Sequence, residues 1–81
     1  MTPDLSTCRK VAGIKQTMRA LRENRAEKLY IACDADPAVL EPLERLGREQ
    51  GIVIDDHATM AQLGHSAGIA VGAAVIAVLK D

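Results

Sequence analysis

The sequence predicts an α/β fold arranged as a three-layer α/β/α sandwich, and three observations support this prediction. Short, mostly apolar runs of strand length alternate along the chain with segments whose apolar residues recur every three or four positions. Apolar residues make up 48% of the chain and Tyr30 is the only aromatic residue, so the core must be aliphatic. No linker or low-complexity tract divides the 81 residues, and we therefore expect residues 1–81 to form a single domain.

Four segments are predicted as strands, and they lie around residues 11–13, 29–33, 52–54 and 73–79. The second and the fourth are almost uninterrupted apolar runs. Such runs are typical of strands whose two faces are both covered by helices. We therefore expect these two strands to form the middle of the sheet.

Two helices are predicted in the first part of the chain. Thr2 and Pro3 favour a helix start, because proline suits the first helical position. A second helix is predicted over residues 15–24, and Asn24 favours an end there. Its predicted core-facing residues are Thr17, Met18, Ala20 and Leu21.

A third helix is predicted to begin with Asp36 as N-cap and Pro37 as first helical residue, and to close at Gly51. Its predicted buried face consists of Val39, Leu40, Leu43, Leu46 and Gly47. Two i, i+4 ion pairs are expected on its solvent side, Glu41 with Arg45 and Glu44 with Arg48. Pro42 predicts a kinked or irregular first turn, because an interior proline removes a backbone hydrogen bond.

The region after the third strand is predicted to hold a short helix and then a loop. The helix covers residues 59–63, with Gly64 as its cap. Residues 64–72 carry no formal charge and contain three glycines, which is typical of a loop.

The formal net charge of −1 hides an asymmetry along the chain. Residues 1–28 carry seven bases against three acids, a net charge of +4, whereas residues 29–81 carry three bases against eight acids, a net charge of −5. A basic half with an acidic back can bind nucleic acid on one side. The alternative interpretation is an uneven distribution of charge over a solvated surface.

Residues 13–19 combine a glycine turn, polar side chains and positive charge more densely than any other part of the chain. A helix that starts just after Gly13 exposes unpaired backbone N–H groups and the positive end of its dipole, which favour phosphate or polar base edges. Lys15, Gln16 and Arg19 are predicted to project from the same turn and can donate to phosphates or bases. The alternative is a surface helix with a solvated basic face.

A metal site and an enzyme active site find little support in the sequence. The two cysteines and two histidines lack the close spacing of a structural zinc site, so no metal ligands are predicted. They are Cys8, Cys33, His57 and His65. Aspartates after the predicted strands could hold magnesium, but Asp36 has a simpler role as an N-cap. The chain has no nucleophile elbow and no phosphate-binding glycine motif, and we predict no catalytic residue, no cofactor and no enzyme activity.

No membrane segment is predicted. The first residues lack the basic and apolar regions of a secretory signal. The longest apolar run, residues 69–79, is interrupted by Gly72 and too short to span a bilayer. An isolated cysteine pair fits reduced thiols, and we expect a monomeric, cytoplasmic protein.

Three spaced groups of residues form a pattern that covers nearly the whole chain. They are residues 13–21 at the glycine turn, residues 34–37 with 50–52 in the centre, and residues 63–64, 68–69 and 71–74 near the end. In this order they resemble the signature, central segment and closing loop of the ribosomal L7Ae/L30e protein family. The similarity is greatest to the small bacterial kink-turn-binding branch of that family.

The resemblance implies an α/β/α sandwich with a mixed four-stranded sheet that binds kink-turn RNA beside its tandem sheared G·A pairs. The implied RNA contacts are Gly13, Ile14, Lys15, Gln16 and Arg19 in the turn and helix, and Ile69, Ala70 and Val71 in the closing loop. Arg22 and Arg25 are expected to steer RNA rather than to read it. The expected partner is structured RNA of ribosomal or riboswitch type, with the ribosome as the wider assembly.

A second hypothesis remains open because the chain departs from the family pattern. His65 stands where bacterial relatives tend to have lysine, and Ala70 where they have an acidic residue. The loss of a lysine near RNA removes one phosphate contact. The alternative function is therefore a protein-interaction or ribosome-accessory module that keeps the fold without specific kink-turn binding.

Overall fold

The computed structural model describes residues 9–68 and 72–80. Two predictions lie outside this part of the chain, namely the helix that starts at Thr2 and Pro3 and residues 69–71 of the predicted loop. Seven elements follow one another: β1 (Lys10–Ala12), α1 (Ile14–Arg22), β2 (Ala26–Ile31), α2 (Pro37–Glu49), β3 (Val53–Asp55), α3 (Met60–Ser66) and β4 (Val75–Leu79).

The strands form one mixed four-stranded sheet in the order β1-β4-β2-β3, as expected. The β4 strand pairs antiparallel with both β1 and β2, whereas β2 and β3 are parallel. The two interior strands, β2 and β4, are the two with the near-continuous apolar runs. Val75, Ile76 and Ala77 are completely buried, because β4 has a strand on each side and helices over both faces.

The helices cover the two faces of the sheet, which confirms the three-layer sandwich. On one face, α1 and α2 pack against β2 and β4 through a cluster that includes Leu21, Leu40 and Leu43. On the opposite face, Leu63 and Ala67 at α3 pack against Tyr30 and Ile76. The core is aliphatic apart from Tyr30, as the composition requires.

The β2 strand begins at Ala26, three residues before the predicted run of apolar residues. Its first half alternates, since Ala26 is buried, Glu27 is exposed and Lys28 is half-buried. A register irregularity between Ala26 and Lys28 accompanies this change. A search for continuous apolar residues misses such a strand start because pairing depends on backbone groups and not on side-chain polarity.

The α1 helix has the predicted buried face, with Thr17, Ala20 and Leu21 inside. The helix ends at Arg22, two residues before the predicted end. Asn24 follows in the left-handed conformation, with φ of 57°. Asparagine tolerates this conformation better than most residues, which explains why the chain turns there.

The α2 helix starts as predicted, because the Asp36 carboxylate accepts a hydrogen bond from the Ala38 N–H at 3.0 Å. The helix runs as one continuous α-helix through Pro42 to Glu49. Within the first turn, the N–H groups of Val39 and Leu40 share the Asp36 carbonyl at 3.2 and 3.3 Å. Gly51 follows the helix with φ of 71°, in the closing position expected for glycine.

One predicted core residue of α2 is wrong. Leu40, Leu43 and Gly47 are buried, but Val39 remains 46% exposed. Successive helical residues are separated by about 100°, so Val39 lies at the border of the stripe, on the side of the half-buried Leu46. Both predicted ion pairs are present, from Arg45 to Glu41 at 2.6 Å and from Arg48 to Glu44 at 3.9 Å.

The α3 helix is longer than predicted, and Gly64 does not cap it. Thr59 and Gln62 form a reciprocal capping box at its start. Gly64 is buried inside the helix, which continues to Ser66. The left-handed glycine after the helix is Gly68, with φ of 74°. Packing of α3 on the sheet therefore outweighs the low helix propensity of glycine.

The Thr17 hydroxyl offers a test of core packing, because Thr17 is completely buried and its Oγ1 has no hydrogen-bond partner. We expect Thr17→Val to raise the free energy of unfolding by about 1 kcal/mol, since the isosteric methyl avoids burying an unpaired hydroxyl. The midpoint of thermal unfolding should rise by roughly 5 °C. Thr17→Ser, which keeps the hydroxyl and loses the methyl, is the control and should be destabilising. A loss of stability in Thr17→Val would mean that the hydroxyl is hydrogen-bonded in solution.

Candidate nucleic-acid interface

The Gly13 turn joins β1 to α1 and is anchored to β4. Gly13 has φ of 94° and ψ of 159°, a conformation that favours glycine. Its N–H donates to the Val75 carbonyl at 3.0 Å, and its carbonyl accepts from the Thr17 N–H at 3.0 Å. The start of α1 is therefore fixed against the first residue of an interior strand.

The N-terminus of α1 lacks the side-chain caps that the other described helices have. Asp36 caps α2 and Thr59 caps α3, whereas Gly13 offers no side chain and the first turn of α1 contains no acidic residue. The first N–H groups of a helix have no partners within the helix. The positive end of the α1 dipole is thus open to an external acceptor.

The side chains around this helix start are exposed. Ile14 is 38% exposed, and Lys15 and Gln16 are also exposed. Together they offer an apolar surface, a cation and an amide that can both donate and accept. The structure thus brings together four predicted contact residues, Gly13, Ile14, Lys15 and Gln16, on one turn.

Arg19 lies one turn further along α1, where it is engaged within the protein. Its Nε donates to Glu23 Oε2 at 3.1 Å, and Arg25 Nη1 donates to Glu23 Oε1 at 3.4 Å. The hydrogen bond from Arg19, and then that from Arg25, lowers the pKa of Glu23 below its usual value. Glu23 is therefore ionised at neutral pH and competes with any external anion for both guanidinium groups.

Arg22 and Arg25 lie away from the Gly13 turn. Arg22 is the last residue of α1, about 12 Å along the helix axis from Ile14. The Arg25 carbonyl accepts from the Lys80 N–H at 2.8 Å, which places Arg25 beside the end of β4. Gly13 lies beside the start of the same strand, so Arg22 and Arg25 are separated from the predicted contacts at the Gly13 turn, whereas Arg19 shares Glu23 with Arg25.

Ile69, Ala70 and Val71 lie outside the described residues, but the chain on either side of them is defined. The Ala73 N–H donates to the Met60 carbonyl at 3.1 Å, so residues 72–73 pass against the start of α3. At Gly72, a Cβ would lie 3.3 Å from the Met60 backbone, and glycine permits this close approach. Two residues later the chain reaches Val75, which is bonded to Gly13.

Sequence reasoning did not anticipate that four aspartates share the Gly13 end of the sheet. Asp34 and Asp36 follow β2, Asp55 is the last residue of the parallel strand β3, and Asp56 follows it. Asp34 accepts from the Met60 N–H at 2.8 Å, and Asp36 caps α2. The available signal was their position directly after two predicted strands, because the carboxyl ends of parallel strands meet at one edge.

Asp55 is also held by local hydrogen bonds. Its Oδ1 accepts from the His57 N–H at 3.1 Å and lies 3.1 Å from His57 Nδ1. The backbone hydrogen bond from His57 lowers the pKa of the Asp55 carboxyl. Asp34, Asp36 and Asp55 thus each accept a backbone hydrogen bond, and acidic residues at this end limit how much phosphate it attracts.

Residues 9–68 and 72–80 contain no group of three or more His, Cys, Asp or Glu side chains placed to hold a metal ion. Cys33 is a free, exposed thiol 3.9 Å from the His57 carbonyl. No helix within these residues is long and apolar enough to cross a membrane.

Comparisons with known proteins point to one family. A family model described as "Ribosomal protein L7Ae/L30e/S12e/Gadd45 family" matches residues 5–81. The chain is 38% identical over 69 residues to an RNA-binding protein of Bacillus pumilus (strain SAFR-032), covering 85% of this chain and 84% of that protein. It is 37% identical over 70 residues to the RNA-binding protein YbxF of Geobacillus stearothermophilus, covering 86% and 85%.

Solved structures share the fold. The Giardia lamblia 15.5kD RNA binding protein superposes with a TM-score of 0.81 at 22% identity, over 89% of this chain and 61% of that one. A protein of unknown function from Bacillus halodurans C superposes with a TM-score of 0.79 at 21% identity, over 89% and 71%. The family model spans the sheet, its helices and the Gly13 turn, and the chain belongs to the ribosomal protein L7Ae/L30e/S12e/Gadd45 family.

Proposed function

We propose that this protein is a non-catalytic RNA-binding protein that recognises kink-turn motifs through the Gly13 turn and the loop of residues 69–71. The observation that carries the proposal is the uncapped start of α1, with Lys15 and Gln16 exposed beside it. Relatives that match most of the chain are named RNA-binding proteins, which supports the same class of ligand. The proposed setting is the cytoplasm, with a monomer bound to ribosomal or riboswitch-type RNA.

Recognition at this turn divides between backbone and side chains. Open N–H groups and the helix dipole favour an RNA oxygen close to Gly13. Gln16 can pair with the polar edge of a base, and Lys15 can donate to a base or a phosphate. Specific RNA recognition targets irregular elements whose bases are unstacked, and the exposed Ile14 offers such a base an apolar surface. Ile69, Ala70 and Val71 would extend that surface.

A protein-interaction or ribosome-accessory role is the second candidate function. The observation that favours it is the group of four aspartates at the Gly13 end, because carboxylates repel phosphate. Capture of partners from a nuclease-treated lysate distinguishes the two functions. Partners that survive nuclease treatment would support the protein-interaction role, and partners lost with the RNA would support RNA binding.

The first prediction about RNA binding concerns specificity for the kink-turn. We expect the protein to bind a kink-turn RNA more tightly than the same RNA with its G·A pairs replaced by Watson–Crick pairs. Each good base contact contributes roughly 1–3 kcal/mol of discrimination, so the two dissociation constants should differ at least tenfold. Titrations at two salt concentrations provide the measurement. Equal affinities at both salt concentrations would reject kink-turn recognition.

The second prediction about RNA binding separates a residue that contacts bases from a residue that attracts RNA through its charge alone. Gln16→Ala should reduce affinity for the kink-turn by roughly tenfold and leave the weak binding to the disrupted RNA unchanged, because a neutral amide contributes no long-range field. Arg22→Ala should weaken binding to both RNAs by the same factor. If both variants reduced affinity in the same pattern, this division of roles would be wrong.

The third prediction concerns Glu23, which holds Arg19 and Arg25. We expect Glu23→Gln to tighten binding to both RNAs at low salt, since it releases two guanidinium groups and removes a nearby negative charge. The gain should shrink as salt screens the charges. Glu41→Gln, which releases Arg45 on α2, is a control of equal charge change and should have a smaller effect. Equal gains from both variants would show that only net charge matters.

A further inference from the structure

A second charged surface lies at the end of the sheet opposite the Gly13 turn, and we call it the basic pole. It consists of Arg9, Lys10, Arg22, Arg25, Lys28 and Lys80, which are six of the ten lysines and arginines in the chain. These residues come from the start of β1, the end of α1, the start of β2 and the end of β4.

Backbone pairing, and not sequence proximity, assembles the basic pole. The Leu79 N–H donates to the Arg9 carbonyl at 2.9 Å, and the Lys80 N–H donates to the Arg25 carbonyl at 2.8 Å. The end of β4 therefore lies between Arg9 and Arg25, with neighbouring strands roughly 5 Å apart. Lys80 is further placed by Asn24, whose Oδ1 lies 3.4 Å from Lys80 Nζ.

A second row of cations lies one step further into the sheet. Lys10 and Lys28 both pair with Val78, from opposite sides of β4. Lys28 Nζ lies 4.7 Å from the centre of the Tyr30 ring, a cation–π contact that holds its stem against the sheet. Two adjacent rows of cations thus lie on a rigid sheet.

Among the residues that the structure describes, the positive charge of the basic pole exceeds the negative charge near it. The carboxylates at this end of the described chain are Glu23, Glu27 and Glu49, three against the six cations. Glu49 belongs here because the ends of α1 and α2 meet, with Gln50 Nε2 donating to the Leu21 carbonyl at 2.6 Å. The Gly13 end has the opposite balance, with four aspartates at the ends of β2 and β3 and a single lysine on the first turn of α1.

Distance decides how the basic pole can act. The span of β4 from Val75 to Leu79 separates the two surfaces by about 14 Å. The Debye length at physiological ionic strength is about 8 Å, so exposed charges at the pole are largely screened from RNA held only at Gly13. To strengthen binding under these conditions, the pole must touch phosphate itself.

We propose that the basic pole is a second RNA contact surface, which binds the phosphate backbone of a segment flanking the element held at Gly13. Its contacts are independent of base sequence, because lysine and arginine at strand ends meet phosphate as charges. This inference deepens the proposed function and rests on it for the first contact.

An RNA backbone fits the basic pole better than a protein does. Protein interfaces need a buried apolar centre. Among the described residues, the large apolar side chain exposed next to the pole is Val53, which pairs with Lys28. One valine does not supply such a centre, whereas cations brought together from three adjacent strands suit a polyanion.

The test compares two variants of equal charge change. Arg22→Gln/Lys80→Gln removes two cations from the pole, and Arg45→Glu reverses one cation on the solvent side of α2, before its last turn. Each is titrated over a range of salt against a kink-turn RNA with long flanking helices and against the same RNA trimmed to its shortest helices. Circular dichroism spectra of both variants serve as the folding control, and we expect them to match the wild type because the substituted side chains are exposed.

On the long RNA, we expect the pole variant to reduce the magnitude of the slope of log K against log salt by about 1.4–1.8, since each of the two lost phosphate contacts removes about 0.7–0.9. On the trimmed RNA its slope should match the wild type, and the α2 variant should match the wild type on both RNAs. Equal slope changes for the two variants, or an unchanged slope for the pole variant on the long RNA, would overturn the proposal. A second measurement compares the proteins that the wild type and the pole variant capture from nuclease-treated lysate. If only the wild type captured a protein and the salt slope of the pole variant on the long RNA were unchanged, the surface would be reassigned to binding an acidic protein.

The same experiment distinguishes this inference from the proposed function. If the wild type bound intact and G·A-disrupted RNA equally, kink-turn recognition would fail. The pole would still be supported if its variant lowered the slope on both long RNAs. Specific binding with no slope change in the pole variant would support the proposed function and reject the second surface.

Discussion

The antiparallel pairing of β4 with both β1 and β2 is the constraint on which the rest of the structure depends. At one end of β4, the Val75 carbonyl accepts from Gly13 and fixes the start of α1. At the other end, Leu79 and Lys80 bond to Arg9 and Arg25. A single buried strand therefore sets the distance and orientation between two surfaces, and neither can shift without breaking interior backbone hydrogen bonds.

The two ends differ in chemistry because the helices and strands meet them differently. Parallel strands deliver their carboxyl ends, and the capping aspartates that follow, to the Gly13 end. Strand starts and the end of α1 deliver arginine and lysine to the opposite end. An uncapped helix start suits geometrically defined contacts with particular RNA groups. A surface of cations suits direct, sequence-independent contacts with phosphate.

Much of the fold could be predicted from local pattern, because strands and helices in a small aliphatic core must place apolar residues at fixed spacing. The buried Thr17, Ala20 and Leu21 follow from such spacing, and the cap at Asp36 follows from an aspartate directly before Pro37. The positions that local pattern predicted wrongly depend on how each helix packs against the sheet. Val39 is exposed because it borders the buried stripe, and Gly64 stays helical because α3 packs on the sheet. Local propensity does not contain these contacts.

The sequence by itself determined the family, the layered fold and the glycine turn with its polar helix start. Each of these follows from short motifs or from the spacing of apolar residues that are close together in the chain. The sequence also determined that positive charge is concentrated before residue 29. Only the tertiary structure decided where that charge goes. The pairing of β4 beside β2 joins Arg25 to Lys80, more than 50 residues later, at the end of the sheet away from Gly13. Position along a chain does not fix position in a sheet, because backbone pairing between distant segments does.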